Sequence, residues 1–189
     1  MKRLVALPSL AAAALVVLLV ALADAEDRPD RSQVAAAAFI DVAKVLLSPR
    51  CRNCHPTDDV PLQRDEGVPH AQNVSRRSEK NGLRCTACHR HENSPVPGGP
   101  PGVKGWRMPP AATPMVFVGR TPHQLCEQLK DKKATGDRDL EAIFHHLAED
   151  ELVLWGWRAG PGRKPPPVPH DVFVARVRAW IDNGAACPP

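Results

Sequence analysis

The chain has no tyrosine, and only four phenylalanines and four tryptophans among 189 residues. A leader occupying the first 25 positions would leave one-domain length with little aromatic material for a conventional core, so a second source of apolar surface is expected. No alternating apolar and polar pattern convincingly marks a β-strand, which argues for a mainly helical chain. A dominant charge of one sign is absent too. The 25 basic and 21 acidic residues give a formal +4, and removal of Lys2, Arg3 and Asp24 with a leader leaves +3. Nothing in that balance argues for nucleic acid. The basic cluster Arg76, Arg77, Lys80 and Arg84 reads as a solvated loop, or as a partner for carboxylates.

The N-terminus carries an export signature. Lys2 and Arg3 precede an uncharged apolar run from Leu4 to Leu22, and Ala23-Asp24-Ala25 is a small-residue cleavage site. The expected division is a signal peptide over 1–25 and a single mature domain over 26–189, located in the periplasm. An uncleaved membrane tether is the alternative, because the run is about long enough to span a bilayer.

Two five-residue segments dominate what remains: Cys51-Arg52-Asn53-Cys54-His55 and Cys85-Thr86-Ala87-Cys88-His89. C-x-x-C-H marks covalent attachment of c-type haem. Two thiols three positions apart fall on one side of a helical turn, where each can form a thioether with a haem vinyl group. The following histidine then lies beneath the iron as its proximal ligand. The expected cofactors are therefore two covalent haem c groups on Cys51 and Cys54 and on Cys85 and Cys88, with His55 and His89 on the irons. A porphyrin would also supply the missing apolar surface, and four propionates would bring the net charge near neutral.

Helical spacing of Val34, Ala37, Ala38, Val42, Val45 and Leu46 predicts a helix over 33–47, with Pro49 as its stop. Thr121-Pro122 opens a helix to about Lys132. Asp137 opens another to about Glu149, and Asp171 opens the last, to about Asn183 before Gly184. Pro- and Gly-rich connections fill 93–114 and 158–169. The fold class is mainly α: short helices and long irregular loops packed around two haems. The interval from His55 to Cys85 is too short for a whole cytochrome module, so one domain holds both groups close together.

The sixth iron positions have three candidates. His70 lies in a Pro-bounded loop fifteen residues beyond His55. His146 sits on the flank of the apolar stripe Leu140, Ile143, Phe144 and Leu147, whereas His145 falls nearly opposite it. Asp150, four residues after His146, is positioned to accept the ring N–H that an iron would not use. Met108, before Pro109-Pro110, is the rival ligand, and a Met ligand would raise the potential relative to two histidines. His91, His123 and His170 read as surface or capping residues, and Met115 as packing. Trp155 and Trp157 read as covers for a haem edge. Cys126 and Cys187 begin no further C-x-x-C-H. In an oxidising compartment they are expected to form a disulfide worth about 4 kcal/mol, two separate buried thiols being the alternative.

Several runs carry a family resemblance. Cys54-His55-Pro56-Thr57-Asp58-Asp59-Val60-Pro61-Leu62-Gln63, Pro69-His70, Leu125-Cys126-Glu127-Gln128-Leu129-Lys130-Asp131, Leu152-Val153-Leu154-Trp155-Gly156-Trp157, Pro167-Val168-Pro169-His170 and Cys187-Pro188 span the mature chain. Together they resemble small exported bacterial dihaem proteins labelled isoquinoline 1-oxidoreductase subunit. The resemblance implies histidine ligands at His70 and His146 and a bridge between Cys126 and Cys187. It also implies an electron-accepting role beside a molybdenum hydroxylase that oxidises N-heterocycles or aldehydes, with onward transfer to a respiratory-chain acceptor. No segment of this chain resembles a molybdopterin or iron–sulfur module, so that chemistry would lie in another subunit. The sequence departs from the pattern at Gly105-Trp106-Arg107-Met108-Pro109, where relatives resemble His-Trp-His-Leu-Ala, at Thr135-Gly136-Asp137 and at Arg76-Arg77.

The expected function is therefore electron transfer without catalysis. One alternative is a dihaem peroxidase-like or ligand-binding protein with one open iron position. A zinc module built on the two C-x-x-C pairs is the other, although the gap from Cys54 to Cys85 exceeds zinc-ribbon spacing.

Overall fold

The computed structural model describes residues 30–189, so the export signal expected over 1–25 lies outside the described residues. Residues Arg31–Pro189 form one compact unit. The architecture is mainly helical, as the periodicity predicts. No helix among the described residues is long and apolar enough to cross a membrane.

Helix α1 (Arg31–Leu46) buries Ala35, Ala38, Phe39, Val42, Ala43, Val45 and Leu46 along one stripe. It packs chiefly on the last helix, here α8 (His170–Asp182), whose Phe173, Val177 and Trp180 face it. Phe39 and Trp180 meet with ring centroids 4.9 Å apart and tilted by 57°. The two rings are fully buried, and side chains of this size contribute about 1.5–3 kcal/mol each. Two of the chain's eight aromatics thus meet where the two longest helices pack together.

Pro49 plays a different part from the one expected. Its ring fixes the first position of a short helix, α2 (Pro49–Arg52), and so begins the turn that carries Cys51. A two-residue antiparallel pair follows, β1 (Leu62–Gln63) with β2 (Val68–Pro69). Asn53 holds it against the first motif: its backbone carbonyl accepts from the Leu62 amide at 2.8 Å, and its side chain donates to the Arg64 carbonyl at 2.7 Å. Helix α3 (Arg76–Lys80) and a 3₁₀ turn (Cys85–Ala87) lie within an otherwise irregular stretch running to residue 121.

Helix α4 (Pro122–Lys130) opens at Thr121, whose hydroxyl accepts from the Gln124 amide while Gln124 reaches back to the Thr121 amide. A short α5 (Lys132–Thr135) ends at Gly136, which takes φ 69°, and Asp137 follows at φ 62°. That left-handed pair turns the chain, so Asp139 rather than Asp137 caps α6 (Leu140–Glu149), accepting from the Ala142 amide. Helix α7 (Glu151–Leu154) runs into a 3₁₀ turn (Trp155–Arg158). Cys126 on α4 and Cys187 near the C-terminus lie at disulfide distance, 2.02 Å between sulfurs, tying α4 to the end of the chain.

Candidate functional site

The first motif is held from several directions. Cys51 sits in α2, and Cys54 and His55 follow where the chain leaves the helix. The His55 carbonyl accepts from the Phe117 amide at 2.9 Å, and the Phe117 ring stacks on the imidazole at 3.9 Å with an 11° tilt. His55 Nδ1 lies 2.7 Å from the Met115 carbonyl. A carbonyl only accepts, so Nδ1 carries the proton and Nε2 keeps its lone pair. Burial pushes the His55 pKa down to about 4, so the ring is neutral at neutral pH.

A partly open cavity of about 270 Å³ adjoins this motif, lined by Cys51, Cys54, His55, Met108, His146 and Trp155, with apolar side chains from α1, α4, α6 and α8. It falls just under the range of small-molecule pockets, roughly 300–1,000 Å³. His146 reaches it from α6, while His145 on the same helix is exposed between Glu141 and Glu149. His146 Nδ1 lies 3.4 Å from Asp150 Oδ2, which also receives Arg107 at 3.4 Å. The other Asp150 oxygen accepts from the Leu152 amide at 2.8 Å and so caps α7. That cap fixes the carboxylate behind the imidazole. Burial lowers the His146 pKa, against the raising effect of Asp150.

The second motif lies in a thinner setting. Its 3₁₀ turn is closed by local bonds, with the His89 amide on the Cys85 carbonyl at 3.0 Å, and Thr86, Ala87 and Cys88 are exposed. The imidazole nevertheless repeats the first site's arrangement. His89 Nδ1 lies 2.8 Å from the Pro101 carbonyl, leaving Nε2 free, and Trp106 stacks on the ring at 4.5 Å with a 2° tilt. His70 is the facing histidine, 6.0 Å away between ring centroids and inclined by 62°. Its amide is anchored on the Pro61 carbonyl at 2.9 Å. His70 Nδ1 is buried and makes no hydrogen bond of normal geometry, although the Ala71 backbone is close. Burial lowers the pKa of both histidines.

The two sites adjoin. Trp106, stacked on His89, meets Trp155 edge to face at 4.8 Å, and Trp155 lines the first cavity. The Trp155 indole N–H donates to Asn93 Oδ1 at 2.8 Å, and the same oxygen accepts from the Gly102 amide at 3.0 Å. Trp157, expected as a second cover, is instead occupied elsewhere. Its N–H donates to the Val168 carbonyl at 2.8 Å and its ring packs on His170 and Phe173. Met115 contributes a carbonyl to the site besides its side chain on the cavity wall.

Burial pushes the thiols of Cys51 and Cys54 up to about 12 and about 11, and Cys85 to about 11 with Glu79 adding to the effect. Among the described residues, no three His, Cys, Asp or Glu side chains converge to hold a metal ion on their own.

The sequence missed Asn93 and the carbonyls of Pro101 and Met115. The carbonyls leave no trace in residue identity, and Asn93 acts across 62 residues on Trp155. In comparisons with known proteins, no family model, curated protein or solved structure matches this chain.

Proposed function

We propose that this chain is an exported dihaem c-type cytochrome that carries electrons between redox proteins. The observation that bears most weight is the repeated histidine arrangement. Each C-x-x-C-H imidazole has Nδ1 fixed on a backbone carbonyl and Nε2 left for a metal, and each is associated with a second histidine. Anchoring of the remote ring nitrogen is the usual partner of metal ligation. Two imidazoles on opposite sides of one metal, at bonds of about 2 Å, have ring centres roughly 6 Å apart. The spacing of His70 and His89 is 6.0 Å.

The proposed assignment is His55 with His146 for the first haem, and His89 with His70 for the second. Cys51, Cys54, Cys85 and Cys88 would hold the porphyrins by thioethers. Each bound haem would supply a one-electron couple. The apolar lining of the first cavity suits a porphyrin face, and its partly open side suits a porphyrin edge. Met108 lines the same cavity as His146, so it competes for the first iron alone. Asp150 would keep His146 in the Nδ1–H tautomer and raise its basicity, which favours the oxidised state and a lower potential at the first site.

The resemblance to dihaem subunits of N-heterocycle oxidoreductases makes a molybdenum hydroxylase-type dehydrogenase the proposed electron source and a respiratory-chain protein the acceptor. A second reading has one specific support: Arg107 and Asp150 beside His146 are polar groups of the kind a peroxide-cleaving site employs. In that reading the first iron is open and the chain is peroxidase-like or a ligand-binding haem protein.

The test is the oxidised and reduced optical spectrum of protein matured with its haems, with a pyridine haemochrome count and exposure to carbon monoxide. Two covalent haems per chain, low-spin and indifferent to carbon monoxide, are expected. Carbon monoxide binding at one haem would favour the second reading. Absence of covalent haem would overturn both.

A further inference from the structure

We infer that the face around the second motif is the docking surface for an acidic electron-transfer protein, and that electrons cross the molecular boundary there. This rests on the dihaem reading above.

Charge is distributed unevenly along the chain. Residues 75–107 hold seven Arg and Lys against two Glu, a net of +5, whereas the whole sequence nets +4. The remainder of the chain is therefore slightly negative, and the basic surplus belongs to the segment that contains Cys85 to His89. Three of the seven cations are engaged with carboxylates from elsewhere: Arg76 and Arg77 with Asp59, and Arg107 with Asp150. Lys80, Arg84, Arg90 and Lys104 are exposed and form no ion pair among the described residues. Two of them flank the motif directly, Arg84 before Cys85 and Arg90 after His89. Arg90 lines a surface recess of about 380 Å³ with Thr86, Ala87, His89 and Val103, and Lys104 follows Val103 in the chain. The two propionates that one haem brings would still leave this segment at +3.

Apolar surface is present on the same segment. Leu83, next to Arg84 and two residues before Cys85, is 50 % exposed, and Val96 is 63 % exposed, so the segment offers apolar side chains as well as charge. Transient redox encounters use small surfaces of this kind, with the charges setting the rate of encounter rather than a tight complex. The chemistry identifies the partner's contact face as rich in Asp and Glu, with its redox group at the surface. The first motif is the more enclosed of the two, because α1, α4, α6 and α8 line its cavity, and no comparable surplus of unpaired cations flanks it in the chain.

The experiment is stopped-flow reduction of the ferric holoprotein by flavodoxin hydroquinone, an acidic protein donor. One electron leaves the flavin, which becomes semiquinone, and one ferric iron becomes ferrous. Free reduced lumiflavin, which is small and carries little charge, serves as the control donor. The second-order rate with flavodoxin is expected to fall on the order of tenfold between low and several-hundred-millimolar ionic strength. A variant with Arg84→Glu, Arg90→Glu and Lys104→Glu should lose about the same factor at low salt and keep its rate with lumiflavin. The variant with Lys80→Glu and Lys104→Glu, which leaves the motif's neighbours intact, should show a smaller loss in the same direction. A salt-independent wild-type rate, or unchanged flavodoxin rates in both variants, would overturn the docking face. An equal loss with lumiflavin would overturn it too, because the change would then lie in the haem. A haemochrome count below two in the wild type is a separate result: it would remove the dihaem reading itself.

Discussion

The two C-x-x-C-H segments share five-residue chemistry and a carbonyl-anchored, ring-stacked imidazole, and differ in how the rest of the chain surrounds them. The first is embedded: α2 begins it, β1 is hydrogen-bonded to Asn53, and residues 115–118 cover its histidine. The second is a surface turn closed by its own backbone, with three of its five residues exposed. Both nevertheless fix the imidazole through Nδ1 on a loop carbonyl. The same five-residue motif therefore sits once within the helical core and once at the molecular boundary, and on the dihaem proposal the two groups would differ in the same way.

The strongest way to break this comparison is to delete each attachment in turn. On the dihaem proposal, Cys51→Ala with Cys54→Ala would remove the group that fills the cavity lined by α1, α4, α6 and α8, so export of soluble folded protein should be lost or its thermal transition abolished. Cys85→Ala with Cys88→Ala should leave the helical circular dichroism near wild type, with one haem per chain. Equal damage from the two double variants would show that the sites are not unequal in the fold.

Acid provides a finer probe. The folded-state pKa of His55 is depressed to about 4 from an ordinary 6.5, with burial as the largest cause. Between those values the unfolded chain binds a proton that the folded chain refuses, so stability declines as pH falls through that window. The slope is at most about 1.4 kcal/mol per pH unit for one histidine. His89 is shifted in the same direction, so a denaturant series at pH 7, 6 and 5 should show a falling midpoint that persists in the double variant lacking the second attachment. A midpoint that rises on acidification would contradict the assignment of these rings as buried and neutral.

The smallest expected effect concerns Asp150. Asp150→Asn keeps the shape of the side chain and removes the charge behind His146, so the potential of one haem should rise while the other is unchanged. Spectroelectrochemistry resolves the two couples. Movement of both by the same amount would mean that Asp150 acts through general charge and not through His146.

Much of this arrangement was legible in the residues. The helix of Val42, Val45 and Leu46, the Thr121-Pro122 start, and the amphipathic separation of His146 from His145 are local properties, and local periodicity reports them. Where the reading missed, the causes were physical. Pro49 reads as a stop because proline cannot continue a helix, yet its fixed φ also suits the first helical position, and only the following turn shows which role it takes. Asp137 looked like a cap until Gly136 and Asp137 turned out to share a left-handed bend. Trp157 carries the same side chain as Trp155, and only the Val168 carbonyl and Phe173 draw it away from the cavity. The pairing of motif histidines with particular partners was illegible. The proposed pairs rest on the nearness of His89 to His70 and on the cavity that His55 shares with His146, which no local pattern encodes.

The most direct measurement is carbon monoxide titration of reduced protein carrying His70→Ala or His146→Ala, each with its haemochrome count. The account expects two covalent haems in both variants and one carbon monoxide bound per chain in each, at spectrally different haems, with none bound by the parent protein. Two low-spin haems indifferent to carbon monoxide in either variant would contradict it.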